Sequence, residues 1–85
     1  MFFYEFSFRS LTAAQQGRNV LSGGAIGAEL LRAPSAIAVQ GCAFVLRVRA
    51  EDGLRAADLL RAWQSRFLRV FRVYENGYAE EAVEL

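Results

Sequence analysis

Residues 42–50, CAFVLRVRA, have the most regular strand pattern in the sequence, and the fold that we predict is built around them. Phe44, Leu46 and Val48 alternate with a second set of residues, as in a strand whose successive side chains point to opposite faces. Because the first set is entirely apolar, we expect it to face the core. Cys42 has the same parity, which predicts that it lies at the start of the strand, on the side covered by helices.

Two segments upstream also have the features of strands. Residues 2–8, FFYEFSF, are rich in aromatic side chains that alternate, which is typical of a half-buried strand. Residues 25–32, AIGAELLR, have a weaker strand pattern. Pro34 has no N–H to donate to a central ladder, so this strand is expected to stop there or to lie at a sheet edge. Residues 34–41 then form a connection of moderate length.

A helix is predicted after the first strand. Ser10 comes before residues 11–22, which have helical spacing, and Ser10 is the expected N-cap. The inward face of this helix consists of small residues such as Gly17, which would let the helix lie close to a sheet. Gly17 also weakens the helix by about 1 kcal/mol relative to alanine. Gly23 and Gly24 are expected to end it.

A second helix is predicted over residues 53–66, with Asp52 as its N-cap. An apolar stripe runs along this helix. Its members are Ala56, Leu59, Leu60, Trp63 and Phe67. Because Trp63 lies on the stripe, it is expected to pack in the core.

The C-terminal part of the chain is predicted to contain a fourth strand over residues 68–74, LRVFRVY. Its pattern leaves two alternatives for the pair that faces the core: Leu68 with Val70, or Phe71 with Val73. Asn76-Gly77 is a turn signal. Residues 76–85 are expected to be a short acidic tail after a single domain over residues 1–75.

The predicted element order is β-α-β-β-α-β, which resembles the ferredoxin-like arrangement of two βαβ halves. Right-handed crossovers give an antiparallel four-stranded sheet of order 4-1-3-2 with both helices on one face, an α+β sandwich. The opposite face is expected to be mixed in character and either solvated or used for a homodimer. Its residues are Phe3, Glu5, Val45, Arg47, Arg49 and, in one alternative, Val70.

The composition removes several function classes. The 85 residues include ten arginines, nine acidic residues and one cysteine, with no histidine and no lysine. The absence of histidine and lysine excludes imidazole acid–base chemistry, Cys/His metal sites and Schiff-base lysines, and we predict no cofactor. The formal charge of +1 is too small to indicate nucleic-acid binding. No apolar run is long enough for a membrane span and no signal sequence is recognisable, so a reducing cytoplasmic location is the expectation.

The predicted topology places the only thiol near the start of the first helix. Cys42, at the start of the third strand, is expected at the same end of the sheet as Ser10. A helix N-terminus has a partial positive charge and free N–H groups, which stabilise a thiolate. Arg9 and Arg32 are predicted at the same end and would add to this effect.

The segment Leu31–Val48, LRAPSAIAVQGCAFVLRV, together with the elements before it, resembles the small bacterial family of selenium/sulphur carrier-like proteins. The matching residues are Ser10 and Thr12 at the corner before the first helix, Pro34 in the connection, and Gly41-Cys42 before an apolar strand. The resemblance covers about residues 3–75. It implies a carrier protein rather than an enzyme, with sulphur- or selenium-donor and acceptor proteins as partners and an adduct of the persulfide type on Cys42.

The sequence departs from the family pattern at three positions. Ala33 and Ser35 stand where the family often has Thr and Arg on either side of the proline, and Ala43 follows the cysteine in place of Gly or Ser. Arg9 and Arg32 are then the candidates for the charge that the family's arginine would supply.

Three other interpretations stay open from the sequence. Cys42 could be a small buried hydrophobic residue, as free cysteines often are. The domain could be a non-catalytic regulatory or assembly module that dimerises through the open sheet face. It could also be a redox sensor that forms an intermolecular disulfide through Cys42.

Overall fold

Strand β1 is the centre of the sheet in the computed structural model, which describes residues 1–38 and 43–85. The elements are β1 (Phe2–Phe8), α1 (Leu11–Gly23), β2 (Glu29–Arg32), the one-turn helix α2 (Ser35–Ala38), β3 (Phe44–Arg49), a 3₁₀ turn (Ala50–Asp52), α3 (Gly53–Ala62), β4 (Val70–Tyr74) and β5 (Ala79–Glu81). The described chain is therefore a small α+β domain.

The sheet is antiparallel, with the strand order β2-β3-β1-β4-β5. Glu5 in β1 lies opposite Arg47 in β3 and opposite Phe71 in β4, which sets the register of the three central strands. The prediction of four strands in the order 4-1-3-2 is wrong in strand count and therefore in the full order, because β5 adds a fifth strand beside β4.

The added strand also corrects the prediction of an acidic tail over residues 76–85. Gly77 has a φ of +88°, which completes a tight turn after Asn76, and β5 then pairs with β4. Ala82, just beyond β5, is buried and donates its N–H to the carbonyl of Val70 at 2.8 Å. The sequence pattern missed β5 because its three residues, AEE, have almost no apolar character.

Helices α1 and α3 cover one face of the sheet, where the main core lies. The even-numbered side chains of β1, Tyr4, Phe6 and Phe8, point into this core. A Cβ added at Gly17 would lie 2.9 Å from Cζ of Phe8. The small residues of α1 therefore let the helix approach the sheet closely, as the sequence predicted.

Helix α1 begins and ends close to the predicted residues. Ser10 is the N-cap, and its Oγ accepts a hydrogen bond from the N–H of Ala13 at 3.1 Å. Gly24 is the C-cap. Ala25 follows with a φ of 62°, so the chain turns there and β2 starts at Glu29 rather than at residue 25.

Helix α3 differs from its prediction at both ends. Asp52 makes no side-chain capping hydrogen bond, because a 3₁₀ turn leads into the helix instead. The helix ends at Ala62 rather than at residue 66, since Gln64 has a φ of 55° and reverses the chain. Trp63, at the C-cap, is 70% exposed, so its predicted place in the core is wrong. Phe67, the last member of the predicted stripe, does pack against the core, with its ring 5.1 Å from the ring of Phe6.

The second face of the sheet is partly covered. Ile37 of α2 packs on Val45 and Phe71, and these three side chains form a small second core. Strand β4 thus contributes to both cores, because Val70 faces the helices and Phe71 faces α2. This settles the choice that the sequence left open for β4.

Candidate functional site

The backbone at one end of the sheet is held by Ala43, the residue after Cys42. The N–H of Ala43 donates to the carbonyl of Phe8 at 3.1 Å, and its carbonyl accepts from the N–H of Ala33 at 2.9 Å. Ala43 therefore lies between the ends of β1 and β2. Gly41 and Cys42 themselves lie outside the described residues.

Ser10 is at this same end, directly after β1. Its side chain caps α1, and its carbonyl accepts from the N–H of Ala14 at 3.1 Å. The first N–H groups of a helix have no acceptor within the helix, so those of Leu11 and Thr12 point out from the N-terminus. Thr12 is exposed. The hydroxyl of Ser10 is thus engaged with the helix, and a bound anion would meet backbone N–H groups first.

Two predicted arginines lie at this end as well. Arg9 follows β1 and Arg32 ends β2. Both strands run antiparallel to β3, so their C-terminal ends lie at the same end of the sheet, beside the start of β3. Both side chains are exposed, and within residues 1–38 and 43–85 neither forms an ion pair. The guanidinium carbon of Arg32 lies 5.8 Å from the ring centroid of Phe44, a cation–π contact.

Pro34 lies just beyond β2 and immediately precedes α2. Its carbonyl accepts hydrogen bonds from the N–H groups of Ile37 and Ala38, at 2.9 and 2.8 Å. The strand stops before the proline, in keeping with the lack of a proline N–H. Pro34 thereby sets the direction of the turn that carries Ile37 onto the second face.

The second face holds an ion pair whose partners, Glu5 and Arg47, the strand alternation favoured but whose burial it did not indicate. The carboxylate of Glu5 is fully buried, and its Oε2 accepts from Nε and Nη2 of Arg47 at 3.0 and 2.8 Å. In the described part of the chain, Oε1 of Glu5 has no hydrogen-bond partner. An unpaired buried acceptor costs about 1–3 kcal/mol. The strand alternation predicts that both residues lie on a face that is either solvated or used for a homodimer, because alternation alone does not reveal the cover that α2 provides.

Arg47 is also held from the other side. Its guanidinium carbon lies 5.2 Å from the ring centroid of Phe3, and its side chain is 32% exposed. Phe3, Arg47, Pro34 and Val73 together line a groove of about 290 Å³ on the second face. The buried ion pair therefore forms part of the structure beneath a partly apolar groove.

A second polar cluster ties the C-terminal residues to the sheet. Arg72 donates to Glu80 at 3.2 Å and to Glu84, while Tyr74 donates its hydroxyl proton to Glu80 at 2.8 Å and Tyr4 donates to Glu84 at 3.2 Å. The hydrogen bonds from Tyr74 and Arg72 hold the pKa of Glu80 below its ordinary value, and the hydrogen bond from Arg72 does the same to the pKa of Glu84. Donation to Glu80 raises the pKa of Tyr74. These contacts attach β5 and the residues after it.

An apolar groove lies between α1 and α3, on the outside of the helix layer. Its volume is about 360 Å³, and its apolar walls are Val20, Leu59 and the exposed Trp63. Nothing in the sequence pattern indicated this groove, because Trp63 was expected to be buried.

The described residues include no helix that is long and apolar enough to cross a membrane.

No protein-family model, no curated protein and no solved structure matches this chain. The resemblance to the selenium/sulphur carrier-like family stays a prediction.

Proposed function

We propose that this chain is a ferredoxin-like domain with one added edge strand, and that it works in the cytoplasm as a small carrier of sulphur or selenium on Cys42. The alternation of strands and long helices supports the fold assignment. The order of the first four strands, β2-β3-β1-β4, is compatible with two βαβ halves.

The observation that carries the proposal is the position of Ala43. Its hydrogen bonds to Phe8 and Ala33 tie the chain that follows the thiol to the sheet end where α1 begins. A helix N-terminus and unpaired arginines favour a thiolate over a thiol. Arg9 and Arg32, both exposed at this end, are the side chains that would supply the charge.

The transfer needs no oxidant. The thiolate of Cys42 attacks the outer sulphur of a donor persulfide, so a new S–S bond forms on Cys42 while the donor's S–S bond breaks and the donor leaves as a thiolate. An acceptor then takes the outer sulphur by the same kind of attack. The selenium reaction is analogous, and the partners are donor and acceptor proteins rather than a cofactor.

Intact-mass spectrometry after incubation with a persulfide donor tests this proposal. We expect an adduct of about 32 Da that reducing agent removes and that Cys42→Ser lacks. Replacing Arg9 and Arg32 by Gln should slow adduct formation, whereas Arg49→Gln, on another part of the sheet, should not. A native protein with a free thiol and no adduct would contradict the proposal.

A second candidate function is a non-catalytic assembly module that dimerises through the second sheet face. The groove lined by Phe3, Arg47 and Val73 supports it, because partly apolar surfaces of this kind are common at interfaces. Val45 lies under Ile37 and is unsuitable as a probe, so Val73→Glu is the better test. Under this proposal Val73→Glu converts a dimer to a monomer in sedimentation analysis, while Cys42→Ser leaves the dimer intact.

A further inference from the structure

The hairpin turn between β4 and β5 contains an asparagine followed directly by a glycine, Asn76-Gly77. Both residues are exposed. A Cβ added at Gly77 would meet no described heavy atom within 4 Å apart from its chain neighbours. Because glycine has no side chain, its backbone nitrogen is unhindered. The turn therefore joins an exposed side-chain amide to an unhindered backbone nitrogen.

The side-chain amide of Asn76 is held against the turn. Its Oδ1 accepts a hydrogen bond from the N–H of Tyr78 at 3.0 Å, which forms an Asx turn. This hydrogen bond closes a ring that contains both Cγ of Asn76 and the backbone nitrogen of Gly77. A donor at a carbonyl oxygen also stabilises the negative charge that develops there when a nucleophile attacks the carbon. The N–H of Tyr78 therefore favours attack on Cγ of Asn76.

One hydrogen bond restrains the attacking nitrogen. The N–H of Gly77 donates to the carbonyl of Tyr74 at 2.9 Å, and this bond has to open before the nitrogen can turn toward Cγ of Asn76. The turn leads into β5, which is the edge strand of the sheet and has only three residues. Segments with few buried apolar contacts open with small free energies. The folded turn therefore slows the attack without preventing it.

We propose that Asn76 is a site of spontaneous deamidation, and that its isoaspartate product detaches β5 from β4. The backbone nitrogen of Gly77 loses its proton and bonds to Cγ of Asn76, which closes a succinimide ring. The bond from Cγ to the side-chain nitrogen breaks, and that nitrogen takes up a proton and leaves as ammonia. Water then opens the ring: attack at the main-chain carbonyl gives isoaspartate, and attack at the side-chain carbonyl gives aspartate. The proposal does not depend on the chemistry of Cys42.

Isoaspartate lengthens the main chain, because the chain then runs through Cβ and Cγ of residue 76. The added atom is incompatible with the two hydrogen bonds that close the turn. These are the bond from Gly77 to Tyr74 and the bond from the N–H of Tyr74 to the carbonyl of Tyr78 at 2.8 Å. Strand β5 has no fully buried residue of its own, so it depends on this closure. The isoaspartate form should therefore lose the fifth strand.

Ageing of the full-length protein at mildly alkaline pH tests the reaction. Peptide mapping with an isoaspartyl methyltransferase as the labelling reagent should find isoaspartate at residue 76, and Asn76→Gln should remain unlabelled. Asn19 is the only other asparagine and is an internal control. It is exposed as well, but it lies within α1 and is followed by Val20. No label at residue 76, or equal label at Asn19, would overturn the proposal.

Hydrogen exchange of the purified isoaspartate form tests the consequence. The amide of Ala82 donates to the carbonyl of Val70 and reports on the attachment of β5. We expect it to exchange about five- to 30-fold faster than in the parent, as for the loss of the two turn hydrogen bonds.

Freshly prepared Asn76→Asp is the matched control, because it has the same charge and mass as the isoaspartate form but a main chain of normal length. Its carboxylate can still accept from the N–H of Tyr78, so the amide of Ala82 should exchange as in the parent. Equal exchange in the isoaspartate form and in Asn76→Asp, whether fast or slow, would overturn the proposal.

Discussion

The buried ion pair between Glu5 and Arg47 gives the sharpest prediction for stability. Arg47→Met keeps a long apolar side chain over the ring of Phe3 but removes the charge that faces Glu5. Glu5 is fully buried and makes both of its hydrogen bonds with Arg47 through Oε2. The substitution would leave a carboxylate in the interior with no partner of opposite charge.

Removing one partner of a buried ion pair costs about 3–5 kcal/mol. Because the side chain of Arg47 is 32% exposed, water reaches part of the site, and we expect a loss near the lower end, about 3 kcal/mol. A domain of 85 residues has a net stability of about 4–13 kcal/mol, at 0.05–0.15 kcal/mol per residue. The variant would therefore lose a large fraction of its free energy of unfolding.

Urea unfolding followed by circular dichroism measures this loss. The matched control is Arg49→Met, two residues along the same strand and on the same face, where the side chain is 75% exposed and lies 3.7 Å from Glu51. Exposed pairs contribute about 0–1 kcal/mol, so the control should change little. The double variant Glu5→Leu with Arg47→Met removes both charges and should recover most of the stability.

Two results would refute this reasoning. If Arg47→Met loses no more stability than Arg49→Met, the Glu5 carboxylate does not depend on its partner. If the double variant is as unstable as the single one, the loss comes from packing rather than from an unpaired charge.

Three further predictions concern stability. Ser10→Ala should cost about 1 kcal/mol in urea unfolding, with Ser10→Asp near the parent; equal losses would contradict the capping role. Gly53→Ala should lower the free energy of unfolding by about 1–3 kcal/mol despite the better helix propensity of alanine, because the added Cβ would lie 2.2 Å from the ring of Tyr4. A higher melting temperature in this variant would contradict the prediction. The pKa values of Glu80 and Glu84 are lowered in the folded protein, so both carboxylates contribute stability above pH 4.5, the ordinary carboxyl value, and this contribution is lost as the pH falls below 4.5. Replacing both residues by Gln should flatten this dependence of the free energy of unfolding on pH, measured in unfolding titrations.

Local sequence patterns were sufficient for much of the framework. The alternation in FFYEFSF and in FVLRV predicted β1 and β3, and the side chains that face the helices are those that the parity indicated. Ser10 and Gly17 were also interpreted correctly, since capping and close approach depend on residues near in sequence or on the absence of a side chain. Strand β5 was missed because its stability comes from pairing with β4 and from contacts with Arg72, neither of which leaves a hydrophobic pattern.

The candidate site also combines features that could be predicted from the sequence with features that could not. The meeting of Arg9, Ser10 and Arg32 at one end of the sheet follows from strand direction, which the element order already implied. The pairing of Glu5 with an arginine of β3 could be predicted, but its burial could not, since alternation shows which face a residue is on but not what covers that face. The exposure of Trp63 was missed for a related reason, because the helical stripe continued past the residue where the chain turns.

The amino-acid sequence was sufficient for the α+β class, for the positions of most strands and of α1, and for a composition with one thiol in which every cationic side chain is an arginine. The burial of Glu5, the position of Trp63 beside a groove and the pairing of β5 with the sheet are visible only in the folded chain. The difference lies in the sequence distance over which each interaction acts. Periodicity and capping act between residues a few positions apart, whereas burial depends on which distant segment packs over a given side chain.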